Sequence, residues 1–244
     1  MRRFYIIYII GILLLGFTSC SNEELAPSKK TGTLELVVSR HPLPSVSTRA
    51  VDDDLNIDVI DPTGEEATMH FTAGTVPAKI NLTADKEYRI VAYTSNQNTW
   101  QNANDGLGEP CFMGETTASV KADSTVYVNY QVPMINYAVT ITLPELFNSY
   151  FKSYTFTVSD SKEGGRSVRV AEGQKGYFSA TKGFFYELWA TNTDERTSHH
   201  NPIEVEVVEG GKCYNIHYLY GTDINTGGID IVITDDIDQE DIDF

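Results

Sequence analysis

Basic residues are scarce in this sequence. Eighteen Lys and Arg face 34 Asp and Glu, for a formal charge of -16 and a pI near 4.6. A surface of that sign repels nucleic-acid phosphates and anionic lipid headgroups, which excludes both as electrostatic partners. Cysteine is scarcer still, at three residues. Cys20 belongs to the leader described below. Cys111 and Cys213 are then too few for a disulfide scaffold or a structural zinc site; an oxidising compartment would permit one bridge between them, but they stand at non-equivalent places in two similar halves, which disfavours it. Catalytic signatures are missing too. There is no Gly-x-Ser-x-Gly elbow, no phosphate-binding glycine loop and no His-Glu-x-x-His helix. His199 and His200 are adjacent, but neighbours on an extended chain point apart and do not share a metal. With no acid, base and nucleophile set, the chain reads as non-enzymatic, without cofactor or metal.

Long apolar runs are absent with one exception. Met1-Arg2-Arg3 precedes an apolar stretch from Phe4 to Phe17, followed by Thr18-Ser19-Cys20. The run is shorter than the ~20 residues of a membrane span and reads as a secretory signal, residues 1–19. Thr18-Ser19-Cys20 resembles a bacterial lipobox, which makes Cys20 the acceptor of acyl chains that hold the protein to a membrane. Ser21-Asn22-Glu23-Glu24 resembles the export signal of Bacteroidetes lipoproteins, with Glu23 and Glu24 as its acidic pair. The alternative is a polar spacer. Residues 20–32 form a lipidated tether. The expected location is the bacterial outer membrane, lipid-anchored and facing the exterior.

What is abundant is alternation. The chain is 41% hydrophobic, with 14 Tyr and 11 Phe, too rich for a disordered chain. From Thr33 onward apolar residues recur every second position, as in Leu34/Leu36/Val38, Leu55/Ile57/Val59, Tyr88/Ile90/Ala92, Tyr186/Leu188/Ala190, Ile203/Val205/Val207 and Ile229/Ile231/Ile233. Each is the pattern of a half-buried strand. The pattern also repeats. The segment from Leu55 to Gly64 parallels that from Tyr154 to Gly164, and Tyr88–Thr94 parallels Tyr186–Asn192, at an offset of about 98 residues, a domain-sized period. The fold class is all-β, with two tandem immunoglobulin-like or transthyretin-like β-sandwiches at 33–132 and 133–235 and an acidic tail at 236–244. Pro144 to Phe151 reads as a short helix, with proline at its first position.

Several segments, in this order, resemble a Bacteroidetes lipoprotein family classed as a domain of unknown function, number 4493 in its series. They are Gly32–Ser39, Ser47–Val51, Leu82–Tyr88, Pro110–Glu115, Phe151–Val158 and Gly176–Ser179. The family usually carries a glycine in the turn before the tyrosine strand, where this chain has Asp85-Lys86. The resemblance implies no activity. It implies an architecture similar to fimbrillin-like proteins, which build surface fimbriae from paired sandwiches.

Three places carry chemistry worth weighing. The loop from Ser95 to Glu109 is rich in Asn and Gln and holds Trp100. A glycan could stack on Trp100 and bond Asn98 and Asn102; the plainer reading is a polar loop whose tryptophan folds back over an apolar edge. Its counterpart in the second copy is the polar stretch from Asn192 to Pro202. Arg49 follows Thr48. In some fimbrillins a protease cuts after a similarly placed arginine and removes the first strand, and a strand of the next subunit fills the groove. Here Leu34 to Ser39 would be lost and Ile229 to Ile233 could be the donor; the alternative is an ordinary loop arginine. Asp123-Ser124-Thr125 resembles a Bacteroidetes O-glycosylation acceptor at Ser124. Two functions follow from all this. One is a non-catalytic surface lipoprotein in adhesion or fimbria-like assembly, partnered by other subunits. The other is a glycan-binding module of an outer-membrane polysaccharide uptake system.

Overall fold

The computed structural model describes residues 29–41 and 51–218, and the backbone of 229–235. Sixteen strands occur among them, all in one compact unit that begins at Thr31. In the first half, β1 (Thr31–Arg40) lies between β4 (Ile80–Thr83, antiparallel) and β7 (Thr125–Val132, parallel). The opposing sheet runs β3 (Met69–Phe71), β2 (Leu55–Ile60), β5 (Lys86–Thr94) and β6 (Met113–Val120). The inward residues of both sheets form one core, from Leu34 and Leu36 on β1 to Ile57 on β2 and Tyr88 and Ile90 on β5.

The second half repeats this plan. β8 (Asn136–Thr142) lies between β11 (Gly176–Ser179, antiparallel) and β15 (Lys212–Tyr218, parallel), and β16 (Ile229–Asp235) adds to the outer edge of β15. The opposing sheet contains β10 (Ser167–Arg169), β9 (Phe151–Ser159), β12 (Phe184–Asn192) and β13 (Thr197–His199), with β14 (Ile203–Val205) on the early part of β12. Its core is aromatic, with Tyr137 packed against Phe178, Phe184 and Tyr214. The chain is thus two β-sandwiches in tandem, each with its first strand parallel to a late strand of the same sheet. Tyr88 and Tyr186, paired by the sequence repeat, are buried at matching places in β5 and β12. The first core extends past the join to Met134, Ala138 and Cys213.

Five expectations meet the structure here. The helix from Pro144 to Phe151 shrinks to a single turn, α1 (Phe147–Tyr150), and Phe151 already belongs to β9. Phe147 stacks on Phe151 with ring centroids 4.6 Å apart, so one turn suffices to carry the chain between sheets. So short a segment holds its shape by packing, not by helix propensity. The strand through Val207 stops at Val205, leaving Val207 79% exposed. The stretch Asn192–Pro202, read as a long polar loop, instead folds back as β13 onto Trp189, Ala190 and Thr191. Where the family carries a glycine, Asp85 takes up the left-handed backbone at φ 60°, and its N–H donates to Val120 O at 2.7 Å. Aspartate tolerates that conformation better than most side chains, so the turn survives the exchange. Cys111 and Cys213 are buried and form no disulfide.

Candidate functional site

The slot occupied by β1 is built from alternation. Leu34, Leu36 and Val38 point into the first core at 0%, 3% and 0% exposure. Both flanks of the strand are hydrogen-bonded. Thr31 to Leu34 pair with β4, and Thr33 to Arg40 pair with β7. Past the end of β4 the vacated flank is taken by the returning chain, where Val51 bridges Val38 and Asp52 N–H donates to Val38 O at 2.8 Å. Arg40 locks this return, with Nε 2.8 Å from Asp52 and Nη2 2.9 Å from Asp54. At the other end Gly32 passes beneath the β6–β7 turn, where a Cβ would come within 2.3 Å of Lys121 O. Ser124 sits in that turn. Its carbonyl accepts from Thr33 N–H at 2.8 Å and its hydroxyl donates to Lys121 O at 2.9 Å.

Cys20, Glu23, Glu24, Arg49 and the acidic tail at 236–244 lie outside the described residues. The residues on either side of Arg49 are described up to His41 and from Val51, and both ends sit against the β1 slot, His41 through its N–H on Val132 O at 2.9 Å.

The loop after β5 is held inward by its own amides. Asn96 Nδ2 donates to Glu109 Oε1 and Pro110 O, both at 2.9 Å, and Gln97 Nε2 donates to Phe112 O at 2.7 Å. From the second sandwich, buried Asn136 receives Cys111 N–H at 3.0 Å and donates to Glu109 O at 2.8 Å. Arg166 reaches across the same junction. Its guanidinium donates to Gly106 O at 2.6 Å, Gln101 O at 2.9 Å and Tyr177 O at 3.3 Å. It also lies 5.9 Å from the Trp100 ring centroid and 5.4 Å from that of Phe178. Trp100 is half-buried between this cation and the first core. Asn98 and Asn102 are exposed on the loop surface. The structure therefore brings Trp100 to Arg166, a residue that sequence reading passed over. Contacts across more than 60 positions leave no local pattern to read.

A cluster of paired charges lies at the far end of β2. Lys86 Nζ is 2.7 Å from Asp61 and 2.8 Å from Glu65. The Lys86 hydrogen bond, helped by Thr63, holds the Asp61 carboxyl down at about 2. The same pairs push the Lys86 ammonium above its ordinary range. Among the described residues no group of His, Cys, Asp and Glu is arranged to hold a metal ion, and no helix is long and apolar enough to cross a membrane.

A family model described as Domain of unknown function (DUF4493) matches residues 30–244. The chain belongs to this family. No curated protein matches it. Among solved structures, one assigned provisionally to cell adhesion, from Bacteroides uniformis, aligns at a TM-score of 0.50 with 13% identity, over 86% of this chain and 99% of that one. A similarly assigned structure from Bacteroides ovatus aligns at 0.47 with 14% identity, over 87% and 99%. The tip fimbrial protein Mfa3 of Porphyromonas gingivalis, truncated at its C-terminus, aligns at 0.44 with 11% identity, over 84% and 99%. At 13% identity the first likeness speaks for the fold alone, and nothing is drawn from the other two.

Proposed function

We propose that this family member is a non-catalytic adhesion subunit of the bacterial surface, exported as a lipoprotein on Cys20 and able to assemble by exchange of its first strand. One observation carries the reading. β1 is a central strand, hydrogen-bonded on both sides, with Leu34, Leu36 and Val38 buried. Removing a central strand leaves two unpaired edges and an apolar trough between them, a site made for another strand. Burial of each of these side chains stabilises the fold by about 1.5–3 kcal/mol, so an emptied slot is strongly biased towards refilling.

Cleavage after Arg49 supplies the route. It separates β1, with Cys20, from a new terminus at Ala50 whose neighbour Val51 already lies along the slot. β16 is the natural donor. Among the described residues it pairs on one side only, with β15, and Ile229, Ile231 and Ile233 repeat the spacing of Leu34, Leu36 and Val38. Before cleavage, the acyl chains on Cys20 hold the subunit at the outer face of the outer membrane, with Glu23 and Glu24 as the export signal. Ser124 lies in a turn at the surface and is a candidate for O-glycosylation there.

The test is assembly in a Bacteroides host. Wild-type protein run unboiled on a gel should form a ladder, and Arg49→Ala should collapse it to monomer. A ladder of equal extent in Arg49→Ala rules out cleavage at this residue as the trigger.

A further inference from the structure

The outward face of β12 presents a second, separate feature. Phe184, Tyr186, Leu188 and Ala190 point inward and are buried. Glu187 and Trp189 therefore point outward, about 7 Å apart along the strand. Trp189 is 42% exposed, an unusual position for so large an apolar surface. It is also held in one orientation. His199 on β13 is its register partner, and the two rings stack with centroids 3.6 Å apart and planes at 15°. His199 Nε2 in turn donates to Glu187 Oε2 at 3.1 Å. Indole, imidazole and carboxylate thus form a fixed array. On the other flank the register partner of Trp189 is only Thr155, so that side of the indole has a small neighbour. Next to the array is a shallow cleft of about 160 Å³, lined by Thr157, Ser159, Lys162, Phe185, Glu187 and Pro202.

We infer that this array is a binding platform for a neutral sugar ring, with Trp189 as the stacking surface and Glu187, Thr157 and Ser159 bonding hydroxyls. The chemistry selects the ligand. An apolar protein partner requires a contiguous apolar patch, and Trp189 is instead surrounded by Thr155, Glu187, Thr191 and His199. A cleft below the ~300–1,000 Å³ of drug-sized sites suits a single ring laid on an open face. A polyhydroxylated ring offers both an apolar face to the indole and hydroxyls to the carboxylate and threonine. Charge narrows the class further. Lys162 and Glu187 both line the cleft, so it carries both signs of charge, whereas the whole chain, at -16, repels anions. Neutral glycans are favoured and acidic ones are not. The platform is not repeated at the equivalent place in the first sandwich, where the sequence repeat puts Arg89 and Val91 in the positions of Glu187 and Trp189. The inference stands apart from strand exchange, since β12 and β13 are not part of the β1 slot.

The chain has two tryptophans, which makes the test direct. The full protein, purified in mild detergent, is applied to an array of neutral and acidic oligosaccharides. The best neutral ligand is then titrated against Trp100→Phe, whose emission comes from Trp189 alone. Binding to at least one neutral glycan with a change in Trp189 emission is expected. Trp189→Ala should weaken it about tenfold or more, the size of one lost aromatic stacking contact. Trp189→Phe should be intermediate, and Glu187→Gln should weaken binding with Trp189 unchanged. Retention of no neutral glycan, an emission that ignores the ligand, or equal affinity in a folded Trp189→Ala protein would each overturn the inference. Loss of assembly in Arg49→Ala with glycan binding intact leaves this site standing by itself.

Discussion

Replacing Arg166 with alanine removes one of the polar links between the sandwiches, another side-chain link being Asn136. The guanidinium holds two carbonyls of the first sandwich, Gly106 O and Gln101 O, and lies over its Trp100 ring, while Tyr177 O and the Phe178 ring anchor it within its own sandwich. A hydrogen bond from a charged group contributes about 1.5–3 kcal/mol, and a partly exposed cation over a ring adds about 0.5–1 kcal/mol. The contribution is discounted where water can replace the donor, as at exposed Gln101. Gly106 and Tyr177 are less able to recover, since they are half-buried and buried. The net expectation for Arg166→Ala is a loss of about 3 kcal/mol, or a fall in Tm of about 6–12 °C for a unit of this size. Arg166→Lys keeps the charge but loses the planar fork, and should retain about half of the stabilisation. Urea unfolding followed by the emission of Trp100 in a Trp189→Phe background reads both quantities. The free energy comes from the midpoint, and the local environment comes from the red shift of Trp100 once its cation is gone. A loss below about 0.5 kcal/mol would refute the view that this arginine joins the two sandwiches.

Three further outcomes follow. Leu36→Ala, in the middle of the β1 slot, should cost about 2–5 kcal/mol in the intact chain by urea unfolding. Gly183→Ala should destabilise by about 2 kcal/mol or more in a thermal melt, because the new Cβ would stand 1.9 Å from Val205 O, a backbone atom with little room to yield. The Asp61–Lys86 pair sets a pH dependence. Asp61 is held at about 2 by Lys86, so its contribution is complete above the ordinary carboxylate range and is lost as pH falls from about 4 through 2. Tm measured across that window should drop, and Lys86→Met should flatten the drop. Lys86 is shifted upward, so its own share is complete below about 10.4 and disappears only as pH rises past its raised value.

Much of this fold could be read from the sequence because it is a period-two code. The stripes at Leu34/Leu36/Val38, Tyr88/Ile90/Ala92 and Tyr186/Leu188/Ala190 became β1, β5 and β12, since each had one face to bury. The repeat also told where β9 and β12 would stand, because similar period-two patterns fold alike. What failed to show was anything set by contacts between distant segments. The Pro144 to Phe151 stretch carries helical composition, yet Phe151 is drawn into β9 opposite Asn192 of β12, which ends the helix after one turn. The amides of the Ser95 to Glu109 loop look like ligand-binding groups in a list of residues. In the fold, Asn96 and Gln97 turn back to hold the loop's own backbone. Trp189 was in view all along. It falls in the outward phase of its strand, opposite to Leu188 and Ala190, and a tryptophan in that phase is the signal for an exposed aromatic. Only the fold could add that His199, from the next strand, fixes its ring.

The central claim, that β1 is the exchangeable strand, is tested most directly by the N-terminus of the assembled protein. Ladder species cut from an unboiled gel of surface-isolated material would be analysed by N-terminal sequencing and intact mass. The account predicts Ala50 as the first residue, with no acylated Cys20 in the assembled bands. Ladder species that still begin at an acylated Cys20 and still contain Leu34, Leu36 and Val38 would contradict it.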